Sequence, residues 1–416
     1  MKKVTIALIG AGNRGTEAYA PYALLNPDQM EFVAVCEPDF ERRQLFKEVF
    51  EIPSKACFES YEQFFKLPKM ADAVFICTQD KMHFIPTMEA LKKGYHVLLE
   101  KPMSPDLREC ILMAEEAKKQ ERLLVICHVL RYTNFFKTIK DILDSGKIGQ
   151  LISIAHNENV GYFHQAHSFV RGNWCNKEET SPMILAKCCH DMDILHWLAG
   201  AKCKNISSFG SLTHFKKENA PEGAKKRCLD GCPHDKTCLY YAPNQYLTEN
   251  IGWPTSVISV DTSYEAREKA LKKGPYGRCV YHCDNNVVDH QVVNMEFENS
   301  VTVAFTMSAF TEECSRTIKL LGTKGEIRGA MEKNRLEILY FDKKKEKEPV
   351  EVLSSSSGHG GGDFGLMKEF VRLINGESDT KNLTLADASL HSHLMAFAAE
   401  AARCENRVVS LKEYEN

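Results

Sequence analysis

The sequence predicts a two-domain α/β chain, with an N-terminal doubly wound parallel sheet and a C-terminal α+β domain on an open, largely antiparallel mixed sheet. Three observations carry this. Val4 to Ile9 is an apolar or β-branched run without polar alternation, as a strand buried on both faces requires, and it runs straight into the glycine turn Gly10-Ala11-Gly12-Asn13-Arg14-Gly15. Apolar strands then alternate with helical segments to about residue 130, with no internal repeat. Beyond that point short strands follow one another directly, with turns such as Glu298-Asn299-Ser300 between them.

The composition narrows the partners. A chain of 416 residues has material for two or three domains, which we place at 1–130 and 131–416. A net charge of -3 gives no reason to expect nucleic acid or an anionic membrane surface. No apolar run reaches the roughly eighteen residues that a membrane span needs. Met1-Lys2-Lys3 mimics the start of a leader, but the run behind it ends in the glycine turn instead of a cleavage site, so no targeting segment is expected. Most of the sixteen cysteines sit singly in apolar segments (Cys36, Cys77, Cys127), where a reduced thiol is a small hydrophobe. A reducing, cytoplasmic compartment follows.

Element by element, the first domain reads as a dinucleotide-binding Rossmann unit. Gly10 permits the tight bend, Gly12 lets backbone approach a pyrophosphate, and Gly15 lets the next helix pack close, with Asn13 and Arg14 in the same turn. The second strand, Phe32 to Cys36, ends on Glu37, about twenty residues on, where a carboxylate would hold the ribose hydroxyls and favour NAD over NADP, although Arg42 and Arg43 lie nearby. Asp39 to Phe50 is helical. Ala73 to Cys77 is a buried strand running into Thr78, Gln79 and then His83. Loops beyond strand C-termini face the ligand in such a sheet, so these three are placed to line the nucleotide; His83 could equally open its helix while bonded to backbone. His96 to Leu99 delivers Glu100-Lys101-Pro102, an expensive place for an idle charge. A helix from Ser104 to Gln120 and a strand from Leu123 to Cys127 complete the unit, followed by His128, Arg131 and Tyr132.

In the second domain we expect strands near 150–159, 205–213, 287–298, 301–310, 316–321, 326–328 and 336–341, and one helix from Met183 to Ala199. Ser354 to Gly362 is a Ser/Gly-rich loop. Helices from Asp363 to Ile374 and Thr384 to Cys404 close the chain.

The glycine fingerprint, Glu100-Lys101-Pro102, and Cys189-His190-Asp191-Met192-Asp193 opening a helix, in this order, resemble the glucose-fructose oxidoreductase / inositol dehydrogenase (Gfo/Idh/MocA) family over nearly the whole chain. The resemblance implies bound NAD(H) or NADP(H) and hydride transfer at a sugar, glycoside or cyclitol hydroxyl, while the open sheet, with one face left free by the nucleotide domain, suits a homo-oligomer, dimer or tetramer. It also implies that Lys101 and His190 sit beside the nicotinamide as the catalytic pair. The chemistry agrees: a base must take the hydroxyl proton as hydride leaves, and a histidine or a lysine of lowered pKa suits that near neutral pH. Lys101 could polarise the oxygen while His190 accepts the proton, or the roles could be exchanged. Many members of the family carry an aspartate four residues before this histidine; here the position is Ala186, with Lys187 next to it. Asp193 reads as a cap or brace of its helix.

Gly161 to Trp174 packs aromatics, histidines and an arginine into one loop, and Tyr162, Arg171 and Trp174 are candidate substrate contacts, as is His359 in Gly358-His359-Gly360-Gly361-Gly362-Asp363, a loop that could cover the substrate or merely connect. A long segment at 214–284 carries Cys228-x3-Cys232-x5-Cys238 and then Cys279-x3-Cys283. Thiolates at this spacing could gather a structural zinc, with His234 or His282 in reserve; an iron-sulfur cluster or disulfides are the rivals. Three functions remain open: an NAD(P)-dependent dehydrogenase, an enzyme that cleaves glycosides through transient oxidation of the sugar, and a nucleotide-binding regulator without catalysis.

Overall fold

A computed structural model describes residues 2–354, 358–377 and 383–414. Part of the Ser/Gly-rich loop, 355–357, and the approach to the last helix, 378–382, lie outside the described residues. The first sheet has strands β1 (Val4–Ile9), β2 (Met30–Cys36), β3 (Cys57–Phe58), β4 (Ala73–Ile76), β5 (His96–Leu99) and β6 (Leu124–Ile126). They lie in the order β3-β2-β1-β4-β5-β6, all parallel. The order reverses beside β1, so the crevice above its C-terminal end is where a doubly wound sheet takes its ligand. The interior strands are buried along their length, which is why they read as unbroken apolar runs.

The second sheet contains β7 (Leu151–Asn159), β8 (Cys203–Ser211), β9 (His290–Phe297), β10 (Thr302–Ser308), β11 (Ser315–Gly322), β12 (Gly325–Ala330), β13 (Arg335–Tyr340), β14 (Glu348–Val350) and β15 (Val409–Ser410). Among the described residues the order is β14-β13-β12-β11-β7-β10-β9-β8-β15, and β7 with β10 is the parallel pair in an otherwise antiparallel sheet. Period-two alternation turns Ile154, His156 and Glu158 of β7 inward, toward the helix Cys189–Ala199 that covers this face.

Several features differ from the expectation, which did not include the short strands β3, β14 and β15 or the insertion's helices Ala242–Tyr246 and Tyr264–Lys273. The helix expected from Met183 to Ala199 is two helices, Met183–Ala186 and Cys189–Ala199, broken at Lys187 and Cys188. The closing segment also returns to the first domain: Leu366, Met367, Phe370 and Val371 are buried in the core of the parallel sheet, with Phe370 packed edge-on against Phe75 of β4. Leu385 bridges Val125 on β6. The two domains therefore share material, and the cleft between them is held from both sides.

Candidate functional site

The cleft lies above the C-terminal ends of β1, β4, β5 and β6. Gly10 has φ +92°, and a Cβ there would stand 2.7 Å from the Cys77 carbonyl oxygen; one on Gly15 would stand 2.6 Å from the Gly10 carbonyl oxygen. A Cβ on Gly12 would meet only open space, so the turn presents bare backbone to the cleft. The following helix begins as a wide π turn, Arg14–Tyr19, and continues as Ala20–Leu25. Glu37 is buried at the end of β2, where its carboxylate accepts the Ala11 N–H at 2.8 Å and the Asp39 N–H at 3.0 Å. A glycine cradle with open space above it, fixed against an acid on the neighbouring strand, fits the pyrophosphate and ribose of a dinucleotide.

The other expected cofactor contacts fare unevenly. Arg14 is committed within the protein, donating to Glu100 at 2.7 Å, Asp363 at 2.8 Å and the Tyr19 hydroxyl at 2.6 Å. It clamps the glycine turn to β5 and to the closing helix. Asn13 bonds Glu17, and beyond the end of β4 Thr78 is half-buried and Gln79 exposed. His83 is corrected as a ligand contact, because it is fully buried and its ring bridges the carbonyl oxygens of Thr78 and Pro102. Its helix-opening, backbone-bonded reading is the one found.

Lys101 extends from β5 into the cleft, donating its Nζ proton to the Ala186 carbonyl at 2.9 Å and standing 5.9 Å from the Trp174 ring centre. Burial would raise the Glu100 carboxyl beside it; Arg14 and then Lys101 outweigh this and hold it below the usual carboxylate range. Across the cleft His190 occupies the first turn of its helix, nearly buried, with His359 on one side at 6.1 Å and His128 on the other at 5.8 Å between ring centres. Burial and then the Lys101 ammonium keep its imidazole well below the usual value, so near neutral pH it is an unprotonated base. The break before the helix frees the Ala186 carbonyl for Lys101, and so couples the two residues from different domains.

The helix carrying His190 is pinned by charge. Arg131 makes a two-pronged pair with Asp193 at 2.6 and 2.7 Å, which confirms Asp193 as a brace. Asp191 takes His156 and Arg316, and Glu158 takes Arg316 at 2.6 Å and Lys187 at 3.2 Å.

Of the candidate substrate contacts, Trp174 lies against Lys101 and donates its indole N–H to Asp80 at 3.0 Å. His359 is half-exposed over the cleft, with Nδ1 at 3.0 Å from Asp363. Tyr162 is part-exposed at the edge of the aromatic loop. Arg171 is corrected: it points away from the cleft into the insertion, fully buried, donating to the carbonyls of Arg278 at 2.7 Å and Tyr240 at 2.5 Å.

The metal expectation for Cys228, Cys232, Cys238, Cys279 and Cys283 is also corrected. Among the described residues no three His, Cys, Asp or Glu side chains are gathered so as to hold a metal ion. Cys228, Cys232, Cys238 and Cys279 do border one cavity of about 20 Å3, roughly one water in size. Cys283 turns back onto the Cys279 carbonyl, and Cys228 Sγ accepts from the Ala242 N–H. Guanidinium groups organise the insertion instead: Arg171 bonds as above, Arg227 caps Leu271, and Arg267 bonds the carbonyls of Tyr246 and Thr248. The insertion in turn lays Trp253 against His164 and His167 of the aromatic loop. Sequence reasoning gave no role to His128, His164 or Lys187 at this site; Lys187 stood out only as the neighbour of Ala186.

Comparison with known proteins agrees with this architecture. The oxidoreductase family's model for its NAD-binding Rossmann fold matches residues 4–128, and its model for the C-terminal alpha/beta domain matches 140–411. A Bacillus subtilis (strain 168) protein named "Putative oxidoreductase YteT" is 22% identical, with 95% of this chain and 92% of that protein covered. Inositol 2-dehydrogenase of Salmonella typhimurium is 25% identical over 43% of this chain and 50% of the enzyme, so the chain spans about half the length of that relative. Among solved structures, an Agrobacterium radiobacter oxidoreductase in complex with NAD+, L-tartaric acid and magnesium superposes with a TM-score of 0.70 at 15% identity, covering 99% of both chains. The WlbA dehydrogenase of Chromobacterium violaceum, in complex with NADH and UDP-GlcNAcA, gives 0.66 at 15% identity, covering 99% of this chain and 96% of that one. At these identities the solved structures establish a shared fold.

Proposed function

The chain belongs to the NAD-binding Gfo/Idh/MocA oxidoreductase family, and from that premise we propose that it transfers hydride between NAD and a hydroxyl of a sugar, glycoside or cyclitol. The observation that carries the reading is the meeting of Lys101 and an unprotonated His190 across the cleft, above a glycine cradle closed by Glu37. NAD, when bound, supplies the hydride acceptor or donor. Lys101 donates a hydrogen bond to the reacting oxygen and stabilises its developing negative charge. His190 takes the hydroxyl proton, and the reverse reaction returns it. Trp174 offers a ring face to the substrate beside Lys101, and His359 closes over the other side. Glu37 favours NAD over NADP because its carboxylate repels a 2′-phosphate.

His359, beside His190 and tied to Asp363, is a second histidine poised for proton transfer, and it favours one rival, cleavage of a glycoside after transient oxidation. An assay on a panel of sugars, cyclitols and aryl glycosides with NAD separates the readings. Net NADH formation supports the dehydrogenase. Aglycone release without NADH supports the rival, and NAD binding with neither supports a regulator.

The homo-oligomer belongs to the same reading. On the outer face of the open sheet Phe209 and Val292 are cross-strand partners on β8 and β9 and remain exposed, as does Ile152 on β7. Light scattering on the purified protein is expected to give a dimer or tetramer mass, and a monomer mass at micromolar concentration would remove this part of the proposal. A reducing, cytoplasmic compartment accords with the free state of all sixteen cysteines. Among the described residues no helix is long and apolar enough to cross a membrane.

A further inference from the structure

His128, at the end of β6, is fully buried, and neither of its ring nitrogens has a hydrogen-bond partner. A buried polar group left without a bond forfeits its hydration with nothing in return, so a partner is expected. Two rings flank it. On one side, at 5.4 Å, lies His393 of the closing helix, whose nitrogens are both committed: Nδ1 to the Ser389 carbonyl at 2.7 Å and Nε2 to the Met103 N–H at 2.9 Å. On the other side, at 5.8 Å and edge-to-face, lies His190, whose Nδ1 is itself buried and unpartnered. The charged groups that bear on His128 are Arg131, Lys101 and Glu100, and burial with the two cations keeps its ring neutral far below pH 7, at about 3. Ala186 offers His190 nothing from the preceding turn, since its side chain is a methyl and its carbonyl is taken by Lys101.

We infer that His128 is a positioning residue for His190: a ring nitrogen of His128 accepts the His190 Nδ1–H, directly or through one water, and so fixes the tautomer that leaves His190 Nε2 free to accept a proton. The inference rests on the proposed role of His190 as the base. A small rotation of His128 about its Cβ–Cγ bond, or a single bridging water, spans the gap between the rings. The pairing gives one buried nitrogen on each ring a partner. When His190 takes a proton at Nε2, the ring becomes an imidazolium whose charge the neutral His128 acceptor stabilises through Nδ1–H, with no proton passing to His128. A base oriented through its second nitrogen is the general arrangement for histidine acid-base chemistry.

The test is the tautomer itself, read by long-range 1H–15N correlation on full-length protein labelled with 15N-histidine, His190 being assigned by its loss in His190→Gln. In the wild type we expect a single Nδ1–H tautomer for His190. His128→Phe, which keeps a planar ring and removes the acceptor, is expected to give a tautomer mixture, and His128→Asn, which keeps a short polar acceptor, to restore the single form. A His190 spectrum that is the same in His128→Phe as in the wild type overturns the inference, as does a wild-type His190 in the Nε2–H form. A mixture in His128→Phe that His128→Asn fails to reverse also counts against it, since it marks a structural effect. If His128→Phe does not fold, the wild-type tautomer and the His128→Asn spectrum still decide. None of these readings depends on turnover, so the failure of the dehydrogenase assay and the failure of this pairing are separate results.

Discussion

In the proposed chemistry Lys101 and His190 act together from two domains, and their removal is the most direct test of it. Loss of a positioned acid-base group costs typically 10²- to 10⁴-fold in rate. We therefore expect Lys101→Ala and His190→Ala to lose turnover by about that factor while NAD binding, read by titration of protein fluorescence, persists. Near wild-type activity in either variant removes that residue from the catalytic pair. Glu37 is tested separately: Glu37→Ser is expected to shift preference toward NADP, and an unchanged ratio of kcat/KM for the two cofactors would discard its ribose role. The placement of these three residues was legible in the sequence because each sits at the C-terminal end of a strand or the first turn of a helix, where backbone geometry fixes the direction of the side chain. Arg171 was misread, and His83 was left between two readings, for the complementary reason. Each is a long or ring-bearing polar group whose orientation depends on which carbonyl lies nearest after folding, and those carbonyls belong to residues 107, 69, 19 and 5 positions away.

At the scale of elements, the helix Cys189–Ala199 owes its position to buried charge as well as to its apolar face. Asp193 is fully buried and Arg131 nearly so. Removing one member of such a pair leaves an uncompensated ion, at a cost of about 3–5 kcal/mol. Arg131→Ala is accordingly expected to lower the free energy of unfolding by about that amount, read from the midpoint of urea denaturation at constant slope, and a change below about 1 kcal/mol would show the pair to be dispensable. The longer strands of the parallel sheet were readable from their unbroken apolar runs, and those of the second sheet from their alternation, while β3, β14 and β15, of two or three residues, are too short to carry either pattern. The break at Lys187 and Cys188 was not readable, since the apolar pattern continues through it. What ends the first helix is tertiary: Lys187 turns toward Glu158 on β7, and Ala186 gives its carbonyl to Lys101. The insertion was misread at the same level. Cysteine spacing drew attention to a metal, while the arginines that bond its backbone have no spacing rule to betray them.

For the whole molecule, the fold buries several imidazoles, and this sets how stability depends on pH. His128 and His393 lie at the junction of the two domains, His167 under the insertion and His196 on the pinned helix. Burial, aided by neighbouring cations or rings, lowers each from 6.5 to about 3. Because the folded values are depressed, the unfolded chain binds more protons than the folded one between these limits. The stability these neutral rings confer is thus complete above pH 6.5 and is lost progressively as pH falls toward 3. Each group contributes a limiting slope of about 1.4 kcal/mol per pH unit, so together they approach about 5 kcal/mol per unit once the unfolded histidines are protonated. The depressed carboxyl groups Glu100, Asp191 and Asp363 act in the same direction, but only below the unfolded carboxylate range near pH 4. The signature is therefore a steep loss between about pH 6 and pH 4.5, before those carboxylates titrate. Denaturant unfolding at half-unit intervals from pH 8 to pH 4.5 measures it: a plateau above about pH 7 and a falling limb below are expected, and a profile flat to pH 4.5 would mean that these histidines are not held neutral by the fold.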